Sequence, residues 1–316
     1  MPYWIDTDPG LDDALAILLA IREVGDDLIG LSSVHGNGEE PAMAHNLLRV
    51  LATYQQLGLT PARWTPSIAR GARQPLDGGL PERGEGYHGE QFLGGLTWQA
   101  GAEWSGRIGS EPAAVAIARA AQRVPDLQLV CIGPLTNLAL ALHLEPKLPG
   151  WLRGVSIMGG SLRAGGNQTL AAEFNLLTDP EAAGVVMEAG FRDIALVPLD
   201  VCDEVRLFAD DLARLDTQDT SASRTARDLL RHFESRAPAG RGVPFYDPCA
   251  WLLTTHPELA HWAPVYVAVD TGDGVGRGAS LADWRGRSGH QPNVRAATHV
   301  VNRGALLDRF FTLLDA

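Results

Sequence analysis

Lysine is almost absent from this chain. Lys147 stands alone among 316 residues, and Asp plus Glu outnumber Lys plus Arg by 38 to 26. The formal net charge of -12 leaves no excess of the basic side chains that neutralise a phosphate backbone. Nucleic acid polymers and anionic membrane surfaces are therefore not expected as partners. Cysteine is scarce too: Cys131, Cys202 and Cys249 lie far apart and form no CxxC pair. That pattern points to reduced, mostly buried thiols and against a disulfide framework. No apolar stretch approaches the length that spans a bilayer. Asp6 and Asp8 interrupt any apolar run at the start, which argues against a signal peptide. The cytoplasm is the expected location.

Regular structure is present in quantity. Short apolar runs at Tyr3–Asp6, Leu28–Val34, Leu127–Ile132, Val155–Met158 and Ile194–Leu199 read as strands, followed late in the chain by Val265–Val269 and Val294–Val301. Segments with helical periodicity separate them: Leu11 to Val24, Pro41–Leu57, Pro112–Arg123, Leu135–Leu144, Asp179–Ala189, most of 207–234, Asp247–Thr255 and Ala305–Leu314. Strands alternating with helices predict one α/β domain over residues 1–316, a mainly parallel, Rossmann-like open sheet with helices on both faces. Residues 75–110, rich in Gly, Pro, Arg and Trp, read as a mobile loop region. The Gly-rich stretch from Gly159 to Asn167 reads as hairpin-like.

In open sheets of this kind ligands bind at the carboxyl ends of the strands. The first strand delivers Asp6-Thr7-Asp8-Pro9-Gly10-Leu11-Asp12-Asp13 there, four carboxylates within eight residues. So many acids repel one another, and a hard divalent metal with oxygen ligands resolves the repulsion. The plainer alternative is that Asp12 and Asp13 cap and charge-complement the following helix. A further alternative is an aspartyl phosphohydrolase using Asp6 as nucleophile with Mg²⁺. That chemistry expects Thr or Val where Gly10 stands, and a well-placed lysine where only Lys147 is available.

The ordered motifs resemble the inosine–uridine-type nucleoside hydrolases. Asp6 to Asp13 match the DTDPGxDD signature, and His35-Gly36-Asn37 follows the second strand as that family's GN does. Gly133-Pro134-Leu135-Thr136-Asn137 matches its GPLTN turn. Met158-Gly159-Gly160, Gly166-Asn167, Ala172-Glu173-Phe174-Asn175 and Asp179-Pro180-Glu181-Ala182-Ala183 resemble its central block. Pro198-Leu199-Asp200-Val201 and Asp247-Pro248-Cys249-Ala250 complete the set.

The resemblance implies a Ca²⁺-dependent N-ribohydrolase that turns ribonucleosides into ribose and free base, as a homodimer or homotetramer. Asp8, Asp13, Asp247 and the backbone carbonyl of Ile132 would ligate Ca²⁺, with Asp6 behind them orienting the ligands. Asp8 would take the proton of a metal-bound water. Asp12 would hold the ribose 2′-hydroxyl, Asn37 and Asn175 ribose hydroxyls or the attacking water, and Asn167 and Glu173 the 5′- and neighbouring hydroxyls. Phe174, between Glu173 and Asn175, is counted with these substrate-binding residues. Turn chemistry is the plainer use of Asn37 and Asn167, each of which follows a glycine.

One position departs from the family. Many members carry His immediately before the last metal-binding Asp; here it is Tyr246. A phenol with an ordinary pKa near 10 donates a hydrogen bond but is a poor proton reservoir, though its ring can stack on a base. His88, in Gly86-Tyr87-His88-Gly89, is the replacement candidate for protonating the leaving base, with an unremarkable surface-loop histidine as the alternative. His232, Glu234 and Arg236 lie in the segment that usually contacts the base. Trp98 and Trp104 either stack a purine or pack in the core. An N-ribohydrolase acting on another riboside, such as nicotinamide riboside, and an inactive calcium-dependent riboside-binding protein stand as the competing functions.

Overall fold

A computed structural model describes residues 1–79, 85–100, 104, 106–238 and 240–315. The strands are β1 (Tyr3–Thr7), β2 (Leu28–Ser33), β3 (Ser67–Arg70), β4 (Ile108–Pro112), β5 (Gln128–Cys131), β6 (Gly154–Met158), β7 (Ile194–Val197), β8 (Ala260–Val265), β9 (Val267–Val269), β10 (Ser280–Ala282) and β11 (Val294–Val300). Nine of them form one sheet in the order β4-β3-β2-β1-β5-β6-β7-β11-β8. All neighbours are parallel except β11 and β8. The expected single α/β domain with a mainly parallel open sheet is what the chain builds.

The central strands are apolar on both faces because both faces are covered. Side chains alternate across a strand, so Trp4, Leu129, Ile157 and Leu196 enter one core while Ile5, Val130, Met158 and Val197 enter the other. Helices Leu11–Val24, Ser221–Arg236, Tyr246–Thr255 and Arg303–Asp315 cover the second face; helices Ala113–Arg123, Thr136–Leu144 and Pro180–Met187 cover the first. All three cysteines are free and buried. No described helix is long and apolar enough to cross a membrane.

Four details differ from the sequence expectation. The predicted strand at 265–269 is two strands: β8 pairs antiparallel with β11, and β9 leaves to pair with β10. Pro264 cannot donate to a ladder and is tolerated because β8 is the edge strand. The strand at Ile194 stops at Val197, because Pro198 precedes a helical turn over Leu199–Cys202. The stretch from 159 to 171 is built of bends with no hairpin pairing; Gly166 N–H reaches Leu170 O at 3.2 Å, and Ala172 bridges to Ala279. The supposed loop region contains β4 and short helical turns at Glu85–His88 and Glu90–Phe92. Residues 80–84, 101–103 and 105 of it lie outside the described residues, and with them that part of the expected mobility.

Candidate active site

The strand order reverses at β1. Later strands up to β4 extend the sheet to one side of it, whereas β5, β6 and β7 extend it to the other. A reversal of this kind leaves a crevice at the carboxyl ends of the two strands. Here Asp8, just beyond β1, and Ile132, just beyond β5, line a cavity of about 320 Å³.

Asp8 is held on three sides. Asn37 donates its backbone N–H to Oδ2 at 2.7 Å and its side-chain amide to the Asp8 carbonyl at 2.8 Å. Two glycines approach the same carboxylate: a Cβ on Gly36 would collide with Oδ2, and one on Gly133 would lie 2.5 Å from Oδ1. Asp13 accepts from Thr7 Oγ1 at 2.5 Å and from Gly10 N–H at 3.0 Å. It therefore does cap its helix, as the plainer reading had it. Asp12 is different, since its Oδ1 is buried and has no hydrogen-bond partner among the described residues.

One oxygen from each of Asp12, Asp13 and Asp247 lies within 4.8 Å of the others. Asp247 arrives in the first turn of helix Tyr246–Thr255. Asp8 lines the same cavity beside this trio. Burial raises the pKa of Asp8 well above the carboxylate range, with repulsion from Asp13 adding to it. Burial and the charges of Asp12, Asp13 and Asp8 do the same to Asp247. Asp12 is pushed up to about 6 by burial, and Asp13 to about 6 by burial and the neighbouring Asp12. Four buried, mutually repelling carboxylates with one orphaned oxygen have the donor chemistry of a hard-cation site.

The Ile132 carbonyl accepts from Asn175 Nδ2 at 3.2 Å, which leaves its second lone pair. The same amide reaches Met158 O at 3.1 Å, so Asn175 ties the ends of β5 and β6 together. Glu173 accepts backbone N–H groups from Asn175 (2.8 Å), Gly160 (2.9 Å) and Leu176 (3.2 Å). Burial outweighs these bonds and lifts its pKa to about 7. Asn167 Oδ1 accepts the Phe174 N–H at 3.0 Å, and both residues line the cavity.

Asp6 does not reach the cavity lining. Its carboxylate takes hydrogen bonds from Ser32 Oγ and from Asn137 Nδ2, the latter at 2.8 Å, and its backbone carbonyl accepts the Ile132 N–H at 2.9 Å. It thus positions the β5 end and not, by any direct side-chain bond, the carboxylate trio. A buried Asp6 and an exposed Lys147 remove the geometry an aspartyl phosphohydrolase needs.

His88 is buried, 4% exposed, unlike a surface-loop histidine. The Leu11 N–H donates to its Nδ1 at 3.2 Å, so the neutral ring carries its proton on Nε2. Burial lowers its pKa to about 4, so it is neutral at pH 7. Tyr246 lines the cavity, but its hydroxyl accepts from Arg206 Nη2 at 3.1 Å and lies 3.5 Å from Asp203 Oδ1. Burial and the Asp203 charge raise its pKa.

Trp104 is core: it is buried and donates to Gln55 Oε1 at 2.6 Å. Trp98 packs edge-on against Tyr54, and neither tryptophan lines the cavity. Of the base-segment residues, His232 meets the Tyr87 carbonyl at 3.2 Å. Sequence reasoning missed Gln168 and Tyr87 as lining residues. Each sits beside a residue it did select, and neither carries a pattern of its own.

A profile described as inosine-uridine preferring nucleoside hydrolase matches residues 3–308. The chain belongs to this family. Membership places it among enzymes that hydrolyse N-glycosyl bonds. The non-specific ribonucleoside hydrolase RihC of Shigella boydii serotype 18 is 35% identical over 307 residues, covering 96% of this chain and 95% of that protein. Among solved structures, a plant nucleoside hydrolase superposes with TM-score 0.87 at 26% identity, covering 100% of this chain and 99% of its own. An inosine-guanosine nucleoside hydrolase gives TM-score 0.87 at 27% identity, covering 99% and 98%. The nucleoside hydrolase motifs quoted from the sequence surround the cavity: DTDPGxDD supplies Asp8, Asp12 and Asp13, and the segment after Gly166 supplies Asn167, Glu173, Phe174 and Asn175.

Proposed function

We propose that this nucleoside hydrolase cleaves ribonucleosides to ribose and free base at a site that takes Ca²⁺. The observation that carries the reading is the convergence of Asp12, Asp13 and Asp247 in one cavity with Asp8 and the Ile132 carbonyl. Several carboxylates plus a carbonyl suit the high, flexible coordination of calcium better than magnesium, which keeps most of its waters. Asp8, Asp13, Asp247 and the Ile132 carbonyl would hold the ion. When bound, it lowers the pKa of neighbouring water.

Asp8 accepts the proton of the attacking water, and Asn37 keeps its carboxylate aimed. Asp12, Asn175, Glu173 and Asn167 bind the ribose hydroxyls. The carboxylates then favour the positive charge that develops on the sugar as the bond breaks. Phe174 and Tyr246 flank the departing base with their rings, and His88 offers an Nε2–H to it. Assembly into a homodimer or homotetramer belongs to the same reading, and light scattering tests it.

Ribose release should be measured with Ca²⁺ present, with Ca²⁺ chelated, and with Asp8→Asn. Chelation should abolish release, and the variant should lower kcat by about 10²–10⁴, the usual range for a general base. A protein that binds Ca²⁺ and ribose yet cleaves no riboside is the inactive binder. Release that is indifferent to both treatments would overturn the mechanism.

A further inference from the structure

Beyond Tyr246 lies a second cavity, of about 310 Å³. It shares Gly86, Tyr87 and Tyr246 with the first, so the two adjoin through a common wall. Their charges are opposite. Carboxylates dominate the first; among the described residues, the charged ones lining the second are Arg206, Arg236 and Arg241, with no acid among them. In a chain of net charge -12, three arginines with no carboxylate among the described lining residues make a local environment for an anion.

The arginines are not equivalent. Arg206 pairs with Asp203 at 2.6 Å and also donates to the Tyr246 hydroxyl. Arg236 and Arg241 have no side-chain hydrogen bond or ion pair among the described residues. Arg236 closes helix Ser221–Arg236, whose Phe233 gives the cavity an apolar wall. Arg236 and Arg241 are exposed at the mouth of the cavity, beside the edge formed by Phe233 and Tyr87. A planar group bearing a carboxylate suits that pairing, since Arg binds carboxylates in bidentate fashion.

We propose that this second cavity is a leaving-group subsite, which recognises an anionic substituent, a carboxylate above all, on the heterocycle of an N-riboside. The inference rests on the ribohydrolase reading above, in which ribose sits over the carboxylates and the base faces Tyr246. With ribose in the acidic cavity, the proposal has the heterocycle meet the shared lining at Tyr87 and Tyr246 and extend its substituent past them toward the arginines. The reaction needs no further reagent. Water adds its oxygen to C1′, the C1′–N bond breaks, and its electron pair goes to the ring nitrogen. The proton lost by water leaves through Asp8. For a pyridinium leaving group the ring nitrogen returns to neutrality without being protonated.

The test is a matched pair of substrates, the ribosides of pyridine-3-carboxylate and pyridine-3-carboxamide, assayed beside inosine and uridine with the Ca²⁺-loaded protein. The kcat/KM ratio of carboxylate to carboxamide should be about tenfold or more, the scale of a charge-assisted hydrogen bond. It should fall towards one in Arg236→Gln/Arg241→Gln and recover in part in Arg236→Lys/Arg241→Lys. If the double variant does not fold, the wild-type ratio should still fall as salt is raised. A wild-type ratio near or below one, with inosine or uridine cleaved, overturns the subsite and leaves the ribohydrolase reading standing. A high ratio that neither the variant nor salt changes overturns it equally. If no riboside is cleaved, the reading beneath fails and the subsite with it.

Discussion

Asn37 donates to Asp8 twice, through its own backbone N–H to the carboxylate and through its side chain to the Asp8 carbonyl. The same amide also reaches Asp13 Oδ2 at 3.4 Å. One residue after β2 thereby fixes both the proposed base and a proposed metal ligand. Asn37→Ala keeps the backbone bond and loses the side-chain ones. We expect stability to fall by about 1–2 kcal/mol and kcat to fall by about tenfold or more, the rate equivalent of about 1.4 kcal/mol. Chemical denaturation alongside single-turnover kinetics checks both. An unaltered kcat would show that the amide is not needed to aim Asp8.

Gly133 presses on Asp8 from the opposite side. Any Cβ there meets Oδ1 at 2.5 Å, closer than atoms tolerate, and the carboxylate or the turn must move. Gly133→Ala should cut kcat by about 10² or more, since a displacement of about 1 Å can cost that much. Calcium affinity, read by calorimetry, should weaken in parallel. Normal turnover in this variant would mean that Asp8 has room it is not shown to have.

The carboxylate cluster predicts a change of sign with the ion. Without calcium, Asp247→Asn removes a buried carboxyl group whose ionisation burial and the other three oppose, so the chelated variant should be more stable than chelated wild type, by about 1 kcal/mol or more. With calcium the order should invert, because wild type gains ligand-linked stability that the variant has lost. Two thermal melts, with calcium and with chelator, decide it. The same ranking in both would show that the cluster binds no stabilising cation.

The far end of helix Leu11–Val24 supplies a pH prediction. Burial would raise the pKa of Glu23, but bonds from Arg309 and His256 outweigh it and the net shift is downward. Its Oε1 meets Arg309 Nη2 at 2.8 Å and His256 Nε2 at 2.6 Å, while Trp251 donates to Oε2 at 2.8 Å. A depressed carboxylate stabilises the fold above its unfolded pKa, and that contribution is lost as pH falls through the folded value. Glu23→Gln should therefore cost about 2 kcal/mol near neutrality, allowing for the partial exposure of Arg309 and His256. The difference from wild type should narrow below about pH 4. Denaturant titrations across pH measure it, and a gap constant with pH would contradict the ionic role.

How much of this was legible beforehand depended on whether local pattern or tertiary neighbours decide a position. β1, helix Leu11–Val24 and β6 announce themselves, because apolar runs and helical periodicity are local properties. β8 does not: only Ala260 and Val265, at its two ends, are buried, so no alternation marks it. Asp8, Asp12, Asp13 and Asp247 could be selected because their types and order carry the family pattern. The environment of His88 could not, since the Tyr87 and Phe233 rings around it include one from a helix far along the chain. Likewise the Tyr246 substitution was visible, but its capture by Arg206 and Asp203 is a meeting across loops that no spacing reveals.

The strand reversal at β1 also governs when the site comes into being. Its carboxylates enter from the first strand end and from the helix at Tyr246, with Ile132 and Asn175 between them in sequence. A nascent chain that has emerged only as far as β7 has closed the centre of the sheet but still lacks Asp247. Capture of the proposed ion would therefore follow the late, long-range contacts that slow the folding of such topologies. On the proposed reading calcium would act as a seal on the finished molecule, holding its beginning to a segment made near its end, and fragments that stop short of Asp247 should bind it poorly.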